Sequence, residues 1–155
     1  MKTKTRTYVI SILIPLAVGA VAGLLTRGSM DAFSQLRQPP LSPPGILFPI
    51  VWTILYTLMG IGAALISLSG DEGSGKALRT YWLQLAVNFV WPILFFALGL
   101  HFLALLWLIL LVVLVIRMIL QFYKISTLAA YLQIPYLLWL LFATYLNAGI
   151  WLLNR

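Results

Sequence analysis

The sequence contains no cysteine and very little charge. Only 8% of its 155 residues are charged, whereas soluble domains carry roughly 25%. The absence of cysteine excludes a disulfide framework, a thiolate metal site and a cysteine nucleophile. The low charge excludes a soluble globular domain, because so few charged side chains cannot form a hydrated surface around a chain that is 63% hydrophobic.

The net charge of +7 does not indicate nucleic-acid binding. The basic residues are scattered between long apolar runs and form no patch that could follow a phosphate backbone. A mean hydropathy of +1.04 is instead typical of an integral membrane protein. We therefore expect one membrane domain over residues 1–155, surrounded by the lipid bilayer.

Five apolar runs have lengths that suit membrane-spanning helices, which need about 20 residues each. We predict an all-α integral membrane fold, a bundle of five transmembrane helices, with spans at approximately 7–26, 45–68, 80–98, 102–122 and 127–153. The segment 28–44 holds four prolines and is predicted to be an ordered or capping loop, because proline interrupts helices.

The distribution of Lys and Arg predicts the orientation of the bundle. Seven of the 10 fall on the side of the N-terminus, namely Lys2, Lys4, Arg6, Lys76, Arg79, Arg117 and Lys124. Arg27, Arg37 and Arg155 fall on the opposite side. Because positively charged loops stay in the cytoplasm, we expect a cytoplasmic N-terminus, with the proline-rich loop and the C-terminus outside. A bacterial cell membrane is the expected location.

Aromatic and amide residues recur at helical spacing on three spans. They are Trp52 and Tyr56 on span two, Gln84, Asn88, Trp91 and Phe95 on span three, and Trp139, Ala143 and Asn147 on span five. If these stripes converge, they enclose a flat-walled apolar cavity with a few amide groups, which suits a large planar lipophile. Two alternatives remain open: amides that bond one another between helices, and Trp and Tyr in interfacial belts.

Two prolines lie beside these stripes. Pro92 and Pro135 are predicted to free backbone carbonyls and to kink their helices around an interior space, although they could equally only shape the bundle.

Two smaller motifs leave alternatives open. Gly19 and Gly23 have the spacing that lets helices approach closely, either within the bundle or in a homodimer contact through span one. His101, the single histidine, stands at a turn, which favours an unspecialised role over that of an axial haem ligand. These patterns predict no metal site, no resident cofactor and no catalytic residue.

Three segments together resemble one known family. They read PPLSPPGILFPIVWTILYTLMGIG, LQLAVNFVWPILFF and AAYLQIPYLLWLLFATYLN, in this order. The chain resembles the translocator proteins, also called tryptophan-rich sensory proteins or peripheral-type benzodiazepine receptors. The resemblance extends from the end of span one to the C-terminus.

The resemblance implies five helices around a pocket that the loop after span one caps. The ligands that it implies are porphyrins such as protoporphyrin IX and haem, besides sterols and isoquinoline carboxamides. The pocket residues that it implies are Trp52, Tyr56, Asn88, Trp91, Phe95, Trp139, Ala143 and Leu146.

The sequence departs from the family at two places. Leu41 stands where the family loop often has tryptophan, which weakens an enzymatic interpretation. Ala148 and Leu152 stand where the sterol signature of the animal members often has Tyr and Arg, so sterol binding is not expected.

Three functions compete. The favoured one is a membrane receptor, sensor or carrier for tetrapyrroles, with homodimerisation as a further expectation. The second is light- and oxygen-dependent degradation of protoporphyrin, for which Trp52, Trp91 and Trp139 are the candidate residues. The third is a partner-regulating membrane protein that needs no pocket.

Overall fold

A computed structural model describes residues 2–155, so Met1 lies outside the described residues. Seven α-helices follow one another: α1 (Lys2–Thr26), α2 (Met30–Ser34), α3 (Leu47–Ser67), α4 (Ser74–Pro92), α5 (His101–Tyr123), α6 (Thr127–Tyr131) and α7 (Ile134–Asn154). A 3₁₀ turn at Arg27–Ser29 joins α1 to α2, and a π-helical turn at Ile93–Ala97 extends α4.

Five helical stretches are long and apolar enough to cross a membrane. They cover residues 3–34, 47–67, 74–97, 101–123 and 127–154. The described residues contain no strand. The prediction of an all-α bundle with five spanning helices is therefore confirmed.

The loop after the first span is shorter than predicted. Residues 28–34, which we expected to be loop, continue the helical path of α1 through the 3₁₀ turn and α2. The chain becomes irregular just before Pro39 and Pro40, and α3 begins at Leu47, after the second proline pair. The two proline pairs lie in the irregular segment between Ser34 and Leu47, where the missing N–H of proline and its restriction of the preceding residue disfavour helix.

Pro92 and Pro135 have different effects on their helices. A π-helical turn follows Pro92, and its backbone bond runs from the N–H of Leu98 to the carbonyl of Ile93. Gly99, at φ 63°, then ends the helical path. Pro135 lies in the first turn of α7, and the helical path of the last span is interrupted just before it, between Tyr131 at the end of α6 and Ile134. Because proline has no N–H, the carbonyl of Tyr131 lacks its usual i+4 partner, which agrees with the break predicted beside Pro135.

Small residues set the closest helix contacts. A Cβ at Gly60 would overlap the backbone of Ser11 and Ile12, so α1 and α3 touch at this point. A Cβ at Gly62 would overlap the side chain of Gln133, which joins α3 to the start of α7. The helices are thus held together at the end that the N-terminus occupies, and the space between them opens toward the opposite end.

Candidate ligand-binding chamber

A cavity of about 1300 Å³ lies in the half of the bundle next to the proline-rich loop. Its wall is formed by α1, α2, the loop, α3, α4 and α7. Leu16, Tyr56 and Asn88 are the wall residues farthest from the loop along their helices, so they form the floor. We call this cavity the chamber.

Six of the eight predicted pocket residues line the chamber. They are Trp52, Tyr56, Asn88, Trp91, Trp139 and Ala143. The convergence of the three stripes is therefore present in the structure. Phe95 and Leu146 are buried but do not belong to the wall. Phe95 stacks on Trp91 instead, with ring centroids 5.2 Å apart and an interplanar angle of 23°.

The aromatic wall is continuous from α3 to α7. Trp52 lies 5.4 Å from Tyr56, with their rings tilted by 30°. Trp139 meets Phe48 edge to face at 5.8 Å, which closes the wall between α7 and the start of α3. Edge and offset contacts of this kind fix the rings relative to one another. The chamber therefore presents preformed aromatic surfaces.

Most of the amides do not face the chamber, because they bond to other helices. The Tyr56 hydroxyl donates to Asn88 Oδ1 at 2.8 Å, and Asn88 Nδ2 donates to the Tyr136 hydroxyl oxygen at 2.7 Å. Tyr136 in turn donates to Gln84 Oε1 at 2.7 Å. We call Tyr56, Asn88, Tyr136 and Gln84 the buried polar chain. Within the buried polar chain, only Tyr56 and Asn88 reach the wall of the chamber.

Asn147 is likewise hydrogen-bonded to another helix. It accepts the indole N–H of Trp91 at 3.0 Å and is fully buried away from the chamber wall. Of the interpretations that the sequence left open for these amides, the structure therefore favours bonding between helices, and only Asn88 reaches the chamber wall.

The two glycines of α1 face the inside of the bundle. A Cβ at Gly19 would overlap the ring of Tyr56, whereas Gly23 has open space beside it and lines the chamber. Of the two uses that the sequence left open, this geometry favours packing within the bundle. A homodimer contact through these glycines stays a prediction.

The loop is fastened to α7 by three contacts. The Tyr145 hydroxyl donates to the carbonyl oxygen of Pro40 at 2.6 Å. Asn154 exchanges two hydrogen bonds with the backbone of Arg37, at 3.0 and 2.9 Å. Pro39 packs closely against Gly149. A Cβ added at Gly149 would lie only 2.6 Å from the Cβ of Pro39. These contacts hold the loop as a cap over the chamber.

Several wall residues lie outside the set predicted from the sequence. Phe33, Phe48 and Phe96 line the chamber, as do Arg27 and Asp31 at its exposed rim. A signal was available for Phe48, which stands one helical turn before Trp52. Leu41 also lines the chamber, at a φ of 71° that leucine rarely adopts.

His101 is not a wall residue. Its ring packs against Phe95 with centroids 4.8 Å apart, so the structure gives it a packing role behind the wall. Over residues 2–155 no group of three or more His, Cys, Asp or Glu could hold a metal ion.

Comparisons with known proteins agree on one family. The model of the TspO/MBR family matches residues 11–152. The chain is 38% identical over 147 residues to the tryptophan-rich protein TspO of Archaeoglobus fulgidus, covering 94% of this chain and 95% of that protein. It is 35% identical to the tryptophan-rich sensory protein of Cereibacter sphaeroides, covering 83% and 79%. It is 34% identical to the translocator protein of Bos taurus, covering 92% and 87%.

Proposed function

The chain belongs to the TspO/MBR family and is an integral membrane protein, and from this premise we propose that it binds tetrapyrroles, protoporphyrin IX or haem, in the chamber. It acts as a receptor, sensor or carrier for these planar lipophiles. The observation that carries the proposal is the set of three indoles, Trp52, Trp91 and Trp139, on the wall of one cavity.

The size and chemistry of the chamber support a planar lipophilic ligand. Its volume of about 1300 Å³ exceeds the roughly 300–1,000 Å³ of pockets that bind drug-sized molecules. Seven of its wall residues are aromatic, and their ring faces are surfaces on which a conjugated macrocycle can stack. The polar floor groups, Tyr56 and Asn88, are already hydrogen-bonded to each other and add little polarity.

The rim of the chamber suits the acidic substituents of such a ligand. Arg27 and Asp31 line the cavity and are both exposed, and of the two only Arg27 attracts a carboxylate. A tetrapyrrole whose apolar edge enters first keeps its carboxylates at this rim, where Arg27 and water solvate them. This orientation avoids burying a charge against the aromatic wall.

The names of the relatives favour sensing or translocation over a purely structural role. One relative is called a sensory protein and another a translocator protein. We place the protein in a bacterial cell membrane, with its N-terminus in the cytoplasm. The chamber and its loop then lie toward the outside, because that end of the bundle carries only three of the 10 Lys and Arg residues, Arg27, Arg37 and Arg155.

A titration in the dark tests the proposal. The purified protein in detergent is titrated with protoporphyrin IX, and binding is followed by quenching of tryptophan fluorescence and by the porphyrin absorbance. We expect saturable binding of one porphyrin per chain. Trp139→Phe is expected to weaken binding, whereas Trp82→Phe, an exposed tryptophan of α4 outside the chamber wall, is the matched control. Absence of saturable binding would refute the proposal.

Light-driven degradation of bound porphyrin is a second candidate. The same three oxidisable indoles line the chamber, so a photosensitiser stacked there would excite dioxygen beside them. Repeating the titration under illumination in air separates the two functions. A stable porphyrin spectrum supports a receptor or carrier, and a protein-dependent loss of that spectrum with a new product supports the enzyme.

A further inference from the structure

Asn147 lies behind the chamber wall and contacts two other helices. It is fully buried on α7, and its Oδ1 accepts the indole N–H of Trp91 at 3.0 Å. Its Nδ2 donates to the backbone carbonyl of His101 at 2.8 Å, at the first residue of α5. One amide thus connects a wall residue of α4 to the beginning of α5.

A second contact holds the same indole from the π-helical turn. Phe95 stacks on Trp91, and the ring of His101 packs on Phe95 with centroids 4.8 Å apart. Trp91, Phe95, His101 and Asn147 therefore form a closed ring of contacts around the outer ends of α4, α5 and α7. We call these four residues the Trp91 bracket.

The bracket determines what Trp91 can offer to a ligand. Its N–H is committed to Asn147, which is not a wall residue, so the indole contributes ring atoms to the chamber and no hydrogen-bond donor. Without the acceptor, the N–H would be buried and unpaired, and the ring would gain by turning to another partner. A turned indole no longer presents the same surface to the chamber.

We propose that Asn147 is a positioning residue of the binding site, which holds the Trp91 indole in the orientation that receives a stacked ligand. Asn147 acts through Trp91 and does not itself touch the ligand. A wall that is fixed before binding improves affinity, because the ligand need not order it. The inference rests on the proposed function, since it assumes that the chamber is the site of binding.

A double-substitution cycle tests this inference. Asn147→Leu removes both hydrogen bonds with little change in size, and Trp91→Phe keeps an aromatic ring but removes the N–H. We expect Asn147→Leu to weaken the affinity for protoporphyrin IX in the dark about fivefold to tenfold. In the Trp91→Phe background the same change is expected to alter affinity less than about twofold. Asn147→Asp keeps the acceptor oxygen and is expected to retain most of the affinity.

A spectroscopic measurement separates positioning from a general effect on folding. The ultraviolet resonance Raman difference between the unmodified protein and Trp91→Phe gives the indole N–H band of Trp91 without any ligand. We expect a hydrogen-bonded indole in the unmodified protein and a free or differently bonded one in Asn147→Leu.

The outcomes of the two experiments are distinguishable. A free Trp91 N–H in the unmodified protein would overturn the inference even if Asn147→Leu does not fold. Equal weakening by Asn147→Leu in both backgrounds would also overturn it, because Asn147 would then act on the bundle and not on Trp91. If the unmodified protein binds no porphyrin, the proposed function fails, while the Raman band still decides whether Asn147 holds Trp91.

Discussion

Substituting Ala143 with phenylalanine is expected to obstruct the chamber. Ala143 lies on α7, lines the cavity and is only 5% exposed. It is one helical turn from Trp139, so a phenyl ring at this position would occupy the space in which a ligand stacks on that indole. Displacement of the ligand from the aromatic wall, or strain in the wall itself, is expected to cost about 1–3 kcal/mol, as overpacking does in cores.

This cost corresponds to about a 5- to 140-fold weaker affinity for protoporphyrin IX. The assay is the titration in the dark, with folding checked by helical circular dichroism. Leu138→Phe, on the same helix but 61% exposed to the membrane, is the control for an added ring. Leu146→Phe tests the boundary of the wall, because Leu146 is buried but does not line the chamber. Unchanged porphyrin affinity in Ala143→Phe would refute the placement of the site.

Three further substitutions have defined expected outcomes. Gly60→Ala places a Cβ against the Ile12 backbone, which cannot rotate away. The free energy of unfolding is therefore expected to fall by about 1–3 kcal/mol in a denaturant titration. Tyr136→Phe removes a donor and an acceptor from the buried polar chain, and the unpaired amides should lower stability by about 1–3 kcal/mol in the same assay. Tyr145→Phe removes the bond to Pro40, worth about 0.5–1.5 kcal/mol, and should speed porphyrin exchange about two- to tenfold in stopped-flow measurements.

Each of these substitutions has a control in the chain. Gly75→Ala adds a Cβ that meets nothing within 4 Å, so equal destabilisation by both alanines would contradict the close contact of α1 and α3. Tyr123→Phe changes an exposed tyrosine at the opposite end of the bundle from the loop and serves as the control for both tyrosine substitutions. Exchange rates that stay the same in Tyr145→Phe would mean that the loop does not limit access to the chamber.

The spans could be predicted because a membrane helix carries its own signal. Each needs a long apolar run, and its backbone groups are satisfied within the helix whatever surrounds it. The position of the loop had no such local signal. It depends on Tyr145, which lies 105 residues from Pro40 along the chain, and on the space left by Gly149. Contacts over such distances leave no periodic pattern in the sequence.

The chamber was predictable as far as helical periodicity holds. Trp52 and Tyr56 lie on one face of a regular helix, and both reach the wall. The spacing of four residues from Trp91 predicted that Phe95 would line the chamber. This prediction was wrong, because the chain passes through a π-helical turn after Pro92. In such a turn a residue five positions on returns to the same face, so Phe96 reaches the wall with Trp91, and Phe95 packs behind it.

An experimental structure of the protein with protoporphyrin IX bound in the dark would show directly whether the chamber is the binding site. We predict porphyrin density inside the chamber, with the porphyrin plane against the indoles of Trp52, Trp91 and Trp139 and its carboxylates toward Arg27. Density only on the membrane-facing surface of the bundle, with the chamber unchanged, would contradict it.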